Sequence, residues 1–365
     1  MTQIFLHVLI AVFLSTNPAD PDQLLNQAQN EILSHEQFTY DFTGFYPSPM
    51  GTIDTIEAHI SFQKNTNSFM GYDFIVNRHP SDVVKINGVL KSVNHNDKTV
   101  QLFPENDRIQ IKYYVENNRN IIYSPISLLR QSGWEYRRDT LINETKLRTY
   151  FKVESDTIVK GNTIYSEVQI FLNPASKLLE RLERRNYFKG NLSQTLVFSY
   201  NDYNFDQAAE TFSYNFPADY KSVLYGQKSR TPLPSIGDKA PVFSGSDLQN
   251  NPLSLADYQG KKVLLNFSVI HCGYCKLTVD YFDELNYQFP DDIQVISVNP
   301  ADERNKVVAY VDKFDIKVPV IFNAQEMGEL YGVSAYPTFF LIDEDGKIEK
   351  VTEGYDKAFL SSVLN

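Results

Sequence analysis

The sequence predicts an α+β chain of two domains. A large antiparallel sheet with a helix comes first, and a smaller α/β unit on a mixed sheet follows. Three observations predict it. The first two thirds are rich in Tyr, Phe and Asn and alternate apolar with polar residues, the period-2 pattern of half-buried strands. From Lys262 onward, apolar strands alternate with amphipathic helices, the pattern of a parallel sheet covered by helices. Between them a stretch carrying Gly226, Ser229, Pro232, Pro234, Ser235 and Gly237 reads as a linker. For a length of 365 residues the expected boundaries are 1–20 for a leader, 21–225 for the first domain, 226–237 for the linker and 238–365 for the second domain.

Residues Asp22 to Ser34 read as a short helix with Leu25, Ala28 and Ile32 on the face turned to the sheet. In the clearest early strand, Ile56, Ala58, Ile60 and Phe62 point one way, and Glu57, His59 and Ser61 the other. Val168, Ile170 and Leu172 repeat the pattern, as do Leu196, Phe198 and Tyr200. Asn, Asp and Gly turns separate the runs, so one large antiparallel sheet buried on one face is expected.

The second domain opens with the strand Val263–Phe267 and a helix whose inward face is Val279, Phe282, Leu285 and Phe289. Next come the strand Ile293–Val298 and a helix with Val307, Val311 and Phe314 inward. A short strand Val318–Phe322 and a helical turn at Glu326–Leu330 follow. The strand Thr338–Ile342, an Asp345-Gly346 turn, a last strand and a terminal helix complete the unit. The Asp-Gly hairpin adds an antiparallel edge to a sheet that begins parallel.

The chain has two cysteines, both in His271-Cys272-Gly273-Tyr274-Cys275. Disulfides used as staples are scattered through loops, whereas one Cys-x-x-Cys at a strand-to-helix junction favours redox chemistry. Residues three apart on a helix have Cβ atoms roughly 5–6 Å apart, so the two thiols can close a short disulfide. A thiol at a helix start feels unsatisfied N–H groups and the positive end of the macrodipole. Such a place lowers a thiol pKa from about 8.5 into a range of roughly 3.5–7.5. Cys272 is therefore the expected attacking thiolate and Cys275 the resolving thiol, with His271, Gly273 and Tyr274 tuning the pair. A structural zinc site needs about four ligands. No second cysteine pair exists and the other histidines are scattered, so neither a metal nor an organic cofactor is expected.

Further residues widen the match: Pro241-Val242-Phe243, the run Leu253-Ser254-Leu255-Ala256-Asp257-Tyr258-Gln259-Gly260-Lys261-Lys262, the strand with Asn266, and Ala335-Tyr336-Pro337-Thr338. With the Cys-x-x-Cys they make residues from about Ile236 to Asn365 resemble the thioredoxin superfamily, and within it the TlpA/ResA-like thiol-disulfide oxidoreductases. The resemblance implies a thioredoxin fold and a cis Pro337 facing the dithiol. It also implies that Tyr336 and Pro337 bind substrate, and that Asn266 stands in place of the buried acid of cytoplasmic thioredoxins. Three positions depart from the family pattern. His271 stands where Trp is frequent, Tyr274 where Pro is frequent, and Thr278 where an acid often lies. The Gly273-Tyr274 dipeptide resembles that of periplasmic disulfide isomerases, so the motif leaves reductase, isomerase and oxidase open.

Earlier in the chain stand Val84-Lys85-Ile86-Asn87-Gly88, Asn94-His95-Asn96-Asp97-Lys98-Thr99-Val100, Gln169-Ile170-Phe171-Leu172-Asn173-Pro174 and Phe212-Ser213-Tyr214-Asn215-Phe216-Pro217. These phrases make residues 22–222 resemble the LolA/LolB-like lipoprotein carriers, an incomplete β-barrel with helices in its mouth. The resemblance implies an antiparallel half-barrel with an apolar cavity for an acyl chain or hydrophobic peptide. A core filled by its own Phe and Tyr side chains, in a domain that docks substrates, is the competing reading.

Ile4 to Leu14 is an apolar run too short to span a bilayer but suited to a signal peptide. No Lys or Arg precedes it, and Ser15-Thr16-Asn17-Pro18-Ala19 is an atypical cleavage region. Export to the periplasm is expected. A net charge of −11 argues against nucleic acid or an anionic membrane as main partner. Trp134 reads as a packed anchor; Arg181, Arg184 and Arg185, interleaved with Glu180 and Glu183, read as a solvated face. The expected function is an exported oxidoreductase exchanging protein disulfides, reductase favoured over oxidase, with electrons from another dithiol such as a membrane relay. A disulfide isomerase, and a lipid or lipoprotein carrier with a redox-sensitive accessory domain, are the alternatives.

Overall fold

A computed structural model describes residues 21–68, 70–104, 108–159, 161–206, 212–225 and 231–364. The leader-like run Ile4–Leu14 and linker residues 226–230 lie outside these. The chain enters through helix α1 (Pro21–Ser34) and strands β1 (Gln37–Pro47), β2 (Ile53–Lys64), β3 (Tyr72–Asn77), β4 (Ser81–Ile86), β5 (Val89–Asn94) and β6 (Thr99–Leu102). Three short helices follow, α2 (Arg108–Asn117), α3 (Arg119–Ile122) and α4 (Pro125–Leu129). Strands β7 (Glu135–Ile142), β8 (Thr145–Val159), β9 (Asn162–Leu172), β10 (Leu179–Phe188), β11 (Asn191–Phe205) and β12 (Lys221–Leu224) complete the first part.

These strands form one twelve-stranded sheet in the order β12-β6-β5-β4-β3-β2-β1-β11-β10-β9-β8-β7. It is two meanders joined where β1 pairs antiparallel with β11, and the parallel β12–β6 pair closes one edge. The alternation expected in β2 is present: Ala58, Ile60 and Phe62 are buried, while Glu57 and His59 are exposed. Phe38, Tyr40, Phe42, Phe62, Phe74, Phe198 and Tyr200 share the buried face, several of them stacked or edge-on. Helices cover that face. The Tyr200 hydroxyl donates to the Tyr123 carbonyl at 2.6 Å, tying β11 to the end of α3.

Three details differ from expectation. In α1 the buried positions are Leu24, Ala28 and Ile32, with Leu25 turned only partly inward. Strand β9 is buried on both faces from Ser166 to Leu172. On its polar side the Glu167 carboxylate accepts from Arg137, Gln169 and Tyr165, while the Gln169 side-chain carbonyl oxygen has no hydrogen-bond partner among the described residues. The arginines of β10 are not simply solvated. Arg181 and Arg185 both pair with buried Glu183, and Arg184 pairs with Glu154 on β8.

The C-terminal domain starts with a small hairpin, β13 (Ser244–Ser246) and β14 (Pro252–Ser254), and a 3-10 turn at Leu255–Tyr258. Then come β15 (Lys262–Phe267), α5 (Gly273–Glu284), β16 (Ile293–Val298), α6 (Arg304–Lys313) and β17 (Val320–Ile321). The chain closes with α7 (Gln325–Leu330), β18 (Thr338–Ile342), β19 (Ile348–Glu353) and α8 (Lys357–Leu364). The sheet order is β17-β16-β15-β18-β19, its first three strands parallel and its last two antiparallel. Val263, Leu265 and Phe267 pack on one face with Tyr331 and Phe340; Leu264 packs on the other with Tyr281, Phe282 and Leu360. This is the mixed, two-faced sheet of a thioredoxin-like domain. Helix α5 ends at Glu284, earlier than its pattern implies, and Phe289 instead packs edge-on against Phe282 from the following loop. The outer strand pairs only over Val320–Ile321 rather than Val318–Phe322. In α6 the inward residues are Val307 and Tyr310, with Val311 and Phe314 at the margin.

The chain from Thr231 onward lies against this domain. Leu233 packs on its core, and the Gly237 amide donates to the Ile348 carbonyl. Gly332, at φ +68°, has the Thr231 carbonyl oxygen so close that a Cβ would sit 2.3 Å from it.

Candidate active site

Strand β15 runs into a bend that delivers Cys272 to the N-cap of α5, with extended backbone at φ −94°, ψ 114°. Its sulfur takes the place a capping hydroxyl usually holds, accepting from the Cys275 amide at 3.1 Å. Cys275 is fully buried and Cys272 only partly so. The two are joined as a disulfide with Cα atoms 5.1 Å apart, inside the usual range for such a bond. A short loop facing the pair carries a cis Tyr336–Pro337 bond, and the Tyr336 carbonyl oxygen lies 3.5 Å from the Cys272 sulfur. Pro337 is buried, its carbonyl accepting from the Gly354 amide at 2.7 Å, and the Thr338 hydroxyl donates to Ala335 at 2.8 Å. Burial, with a smaller contribution from Asp302, pushes the Tyr336 phenol above its ordinary range. The loop offers polar backbone beside the dithiol and a phenol that stays neutral.

Asn266 is buried on β15. Its amide nitrogen is 3.4 Å from the Ser297 hydroxyl, and its carbonyl oxygen has no hydrogen-bond partner among the described residues. Thr278 is also buried, its hydroxyl 3.4 Å from the Tyr274 carbonyl, so a small neutral group fills the place where an acid is frequent. Gly273 is exposed, with open space where a side chain would point. Tyr274 is 43% exposed and meets Phe188 edge-on, with ring centroids 6.3 Å apart.

Three site neighbours are not visible from the sequence. Asp54, on β2 of the N-terminal sheet, places its Oδ2 2.6 Å from Nδ1 of His271. Asp302, in the loop after β16, stands 3.9 Å from Nε2 of the same ring. Asp302 is itself held by the Ile270 amide at 2.9 Å and the Asn299 side chain at 2.8 Å. Phe188, at the β10–β11 turn, touches both Tyr274 and Tyr355. The β1–β2 turn makes a second approach: Met50 packs on the apolar cluster of Ile270, Val279, Val307 and Tyr310, and Lys313 donates to its carbonyl. Two hairpin tips of the N-terminal sheet thus flank the dithiol. No sequence signal announces them, because tertiary packing alone brings them there.

Residues 235–364 match the Redoxin family model. The thiol-disulfide oxidoreductase ResA of Geobacillus thermodenitrificans is 34% identical over 123 residues, covering 33% of this chain and 70% of that protein. The thioredoxin-like protein YneN of Bacillus subtilis is 34% identical over 121 residues, covering 32% and 71% respectively. Among solved structures, StoA from Bacillus subtilis aligns at 22% identity with a TM-score of 0.30, over 33% of this chain and 93% of StoA. Through its C-terminal third, the chain belongs to the TlpA/ResA-like thiol-disulfide oxidoreductases of the thioredoxin superfamily.

Proposed function

We propose that this oxidoreductase is an exported protein-disulfide reductase with Cys272 as nucleophile and Cys275 as resolving thiol. The asymmetry of the pair carries the assignment: one sulfur at a helix N-cap and partly open, the other fully buried. In the reduced protein the Cys272 thiolate attacks one sulfur of a substrate disulfide, and the other leaves as a thiolate that takes up a proton. Cys275 then loses its proton and attacks Cys272, releasing the second substrate thiol. Two electrons pass to the substrate and the Cys272–Cys275 disulfide remains. A second dithiol protein, of the membrane-relay kind, returns the pair to the reduced state. Tyr336 and Pro337 line the substrate strand, while His271, Gly273, Tyr274 and Asn266 set the redox poise.

Cysteine economy supports the direction. A protein exported to an oxidising compartment with no cysteine outside its dithiol has no structural disulfide to protect. Redox titration of the full chain against thiol buffers tests it. A reductase is expected near the potential of thioredoxin, about −270 mV; a value near that of a strong oxidant, about −120 mV, would reverse the direction.

We read residues 21–225 as the first domain, residues 226–237 as the linker and residues 238–365 as the second domain. The first is taken as a half-barrel of the LolA/LolB-like kind that docks substrate rather than carrying a lipid. Supporting this is the buried face of its sheet, filled by Phe38, Tyr40, Phe42, Phe62, Phe198 and Tyr200. Lipid co-purifying with this part of the chain would favour the carrier reading.

A further inference from the structure

His271 immediately precedes Cys272, and its ring is held by carboxylates from both parts of the molecule. Asp54 comes from the N-terminal sheet at 2.6 Å and Asp302 from the C-terminal domain at 3.9 Å. A carboxylate at 2.6 Å from an imidazole nitrogen needs a proton on that nitrogen, so Asp54 fixes N–H on Nδ1 and sets the ring's orientation. Nε2 then faces Asp302. The His271 and Asp54 side chains are both partly exposed, but the strand bearing Asp54 is anchored a few residues earlier. Met50 is seated in the apolar cluster beneath α5 and α6, and Lys313 bonds to the Met50 carbonyl.

We propose that Asp54 is a positioning residue for the dithiol reaction, through which the N-terminal sheet governs the reactivity of Cys272. The proposal rests on the thiol-disulfide reading of the site and adds to it a residue of the other part of the chain. A positive ring beside Cys272 stabilises the thiolate, both as attacking group and as leaving group. The Asp54 carboxylate holds the ring in one orientation through Nδ1. Removing that carboxylate takes away the contact that sets the ring's orientation beside the thiol. The remaining groups do not replace the Nδ1 contact: Asp302 faces Nε2, at 3.9 Å rather than 2.6 Å. Lys276 is engaged by Asp280, Lys313 points to the β1–β2 turn, and Tyr274 and Tyr336 are phenols. Undocking the two parts of the chain would have the same effect as deleting Asp54, so thiol reactivity reports whether the N-terminal sheet is in place.

The test is the pH–rate profile of iodoacetamide alkylation at Cys272 in the reduced full-length protein, followed by peptide mass spectrometry. In that reaction the thiolate sulfur bonds to the methylene carbon and iodide leaves. Asp54→Asn is expected to slow alkylation about 3–10-fold near pH 6 and to converge with the parent above about pH 9, where the thiol is fully ionised. Asp54→Glu should restore at least half of the parent rate. Asp41→Asn removes a similar 2.6 Å contact to His59 on the neighbouring strands and should change nothing. In a His271→Ala background, Asp54→Asn should have no further effect. The proposal fails if the Asp54→Asn profile superimposes on the parent, if it is slowed equally at every pH, or if its effect survives loss of His271. Insulin reduction assayed in parallel reports separately on the reductase reading, since absence of turnover there would leave the alkylation profiles intact.

Discussion

The backbone amide of Cys275 donates to the sulfur of Cys272 across 3.1 Å, so each cysteine of the pair already bears on the other before any chemistry begins. A negative sulfur gains most from such a donor. Brief alkylation of the reduced protein near pH 6 is therefore expected to label Cys272 ahead of Cys275 by on the order of tenfold or more. Cys275→Ser should accumulate mixed disulfides with substrate, and Cys272→Ser almost none. Faster labelling of Cys275 would exchange the two roles.

A second expectation concerns Gly332. Its φ is +68°, and a Cβ added there would meet the Thr231 carbonyl oxygen at 2.3 Å, which leaves no room for a side chain. Gly332→Ala should destabilise the protein by about 1–3 kcal/mol and lift Thr231 and Pro232 off the C-terminal domain. In limited thermolysin digestion, the parent should be cut first on the N-terminal side of Thr231. The variant should also be cut within 231–236. Identical patterns would mean that the segment is not held by this contact.

Acid sensitivity follows from Asp82. Burial pushes its carboxyl up, but hydrogen bonds from Tyr214, His95 and the Arg78 amide together hold it below the ordinary carboxylate range. A depressed folded-state value means stability that is present above the unfolded value near ~3.9 and lost as pH falls through the folded one. Asp82→Asn is expected to cost about 1–3 kcal/mol at pH 7. In urea unfolding that gap should narrow between pH 4 and pH 2. A constant gap would contradict the assignment.

The buried Asn266 gives the opposite slope. Asn266→Asp would place a carboxyl where the amide is 1% exposed, and burial raises such a group above its unfolded value. The unfolded chain then holds fewer protons, so stability falls as pH rises, by about 1.4 kcal/mol per pH unit between ~4 and the folded value. Melting temperatures of variant and parent should agree near pH 4 and separate clearly at pH 8. Agreement at both would show that water or a cation reaches the site.

The parts of this fold legible in the sequence are those whose information is local. Thr338–Ile342 is apolar after its first residue, and Ile293–Val298 is broken only by Gln294 and Ser297, because both faces of their sheet are covered, and the structure places those two strands at the same residues. Helices α2 to α4 leave little trace. In α2 Ile111 and Val115 are buried and Tyr114 partly so, and the caps of α3 and α4, Asn118 and Ser124, stand in an Asn-rich stretch that equally resembles a loop. The same division holds at the site. Cys272, Cys275 and the Tyr336–Pro337 turn follow from short motifs. Asp54, Asp302 and Phe188 are ordinary residues in ordinary strands and loops, and only docking gives them a place beside the dithiol.

Strand β1 has a partner on each side, and Phe38 pairs with Phe62 on one edge and Phe205 on the other. During synthesis the first partner emerges almost at once, whereas the second is among the last strands of the sheet to appear. Throughout that interval β1 offers an open edge and a row of uncovered aromatic rings, the two features that invite pairing with a foreign chain. In the C-terminal domain the wait is shorter: β15 gains β16 after a single helix, and β18 within the same small unit. A chain arrested before Asn191 is therefore expected to need that edge shielded, as a holdase chaperone would shield it, until β11 arrives to close it.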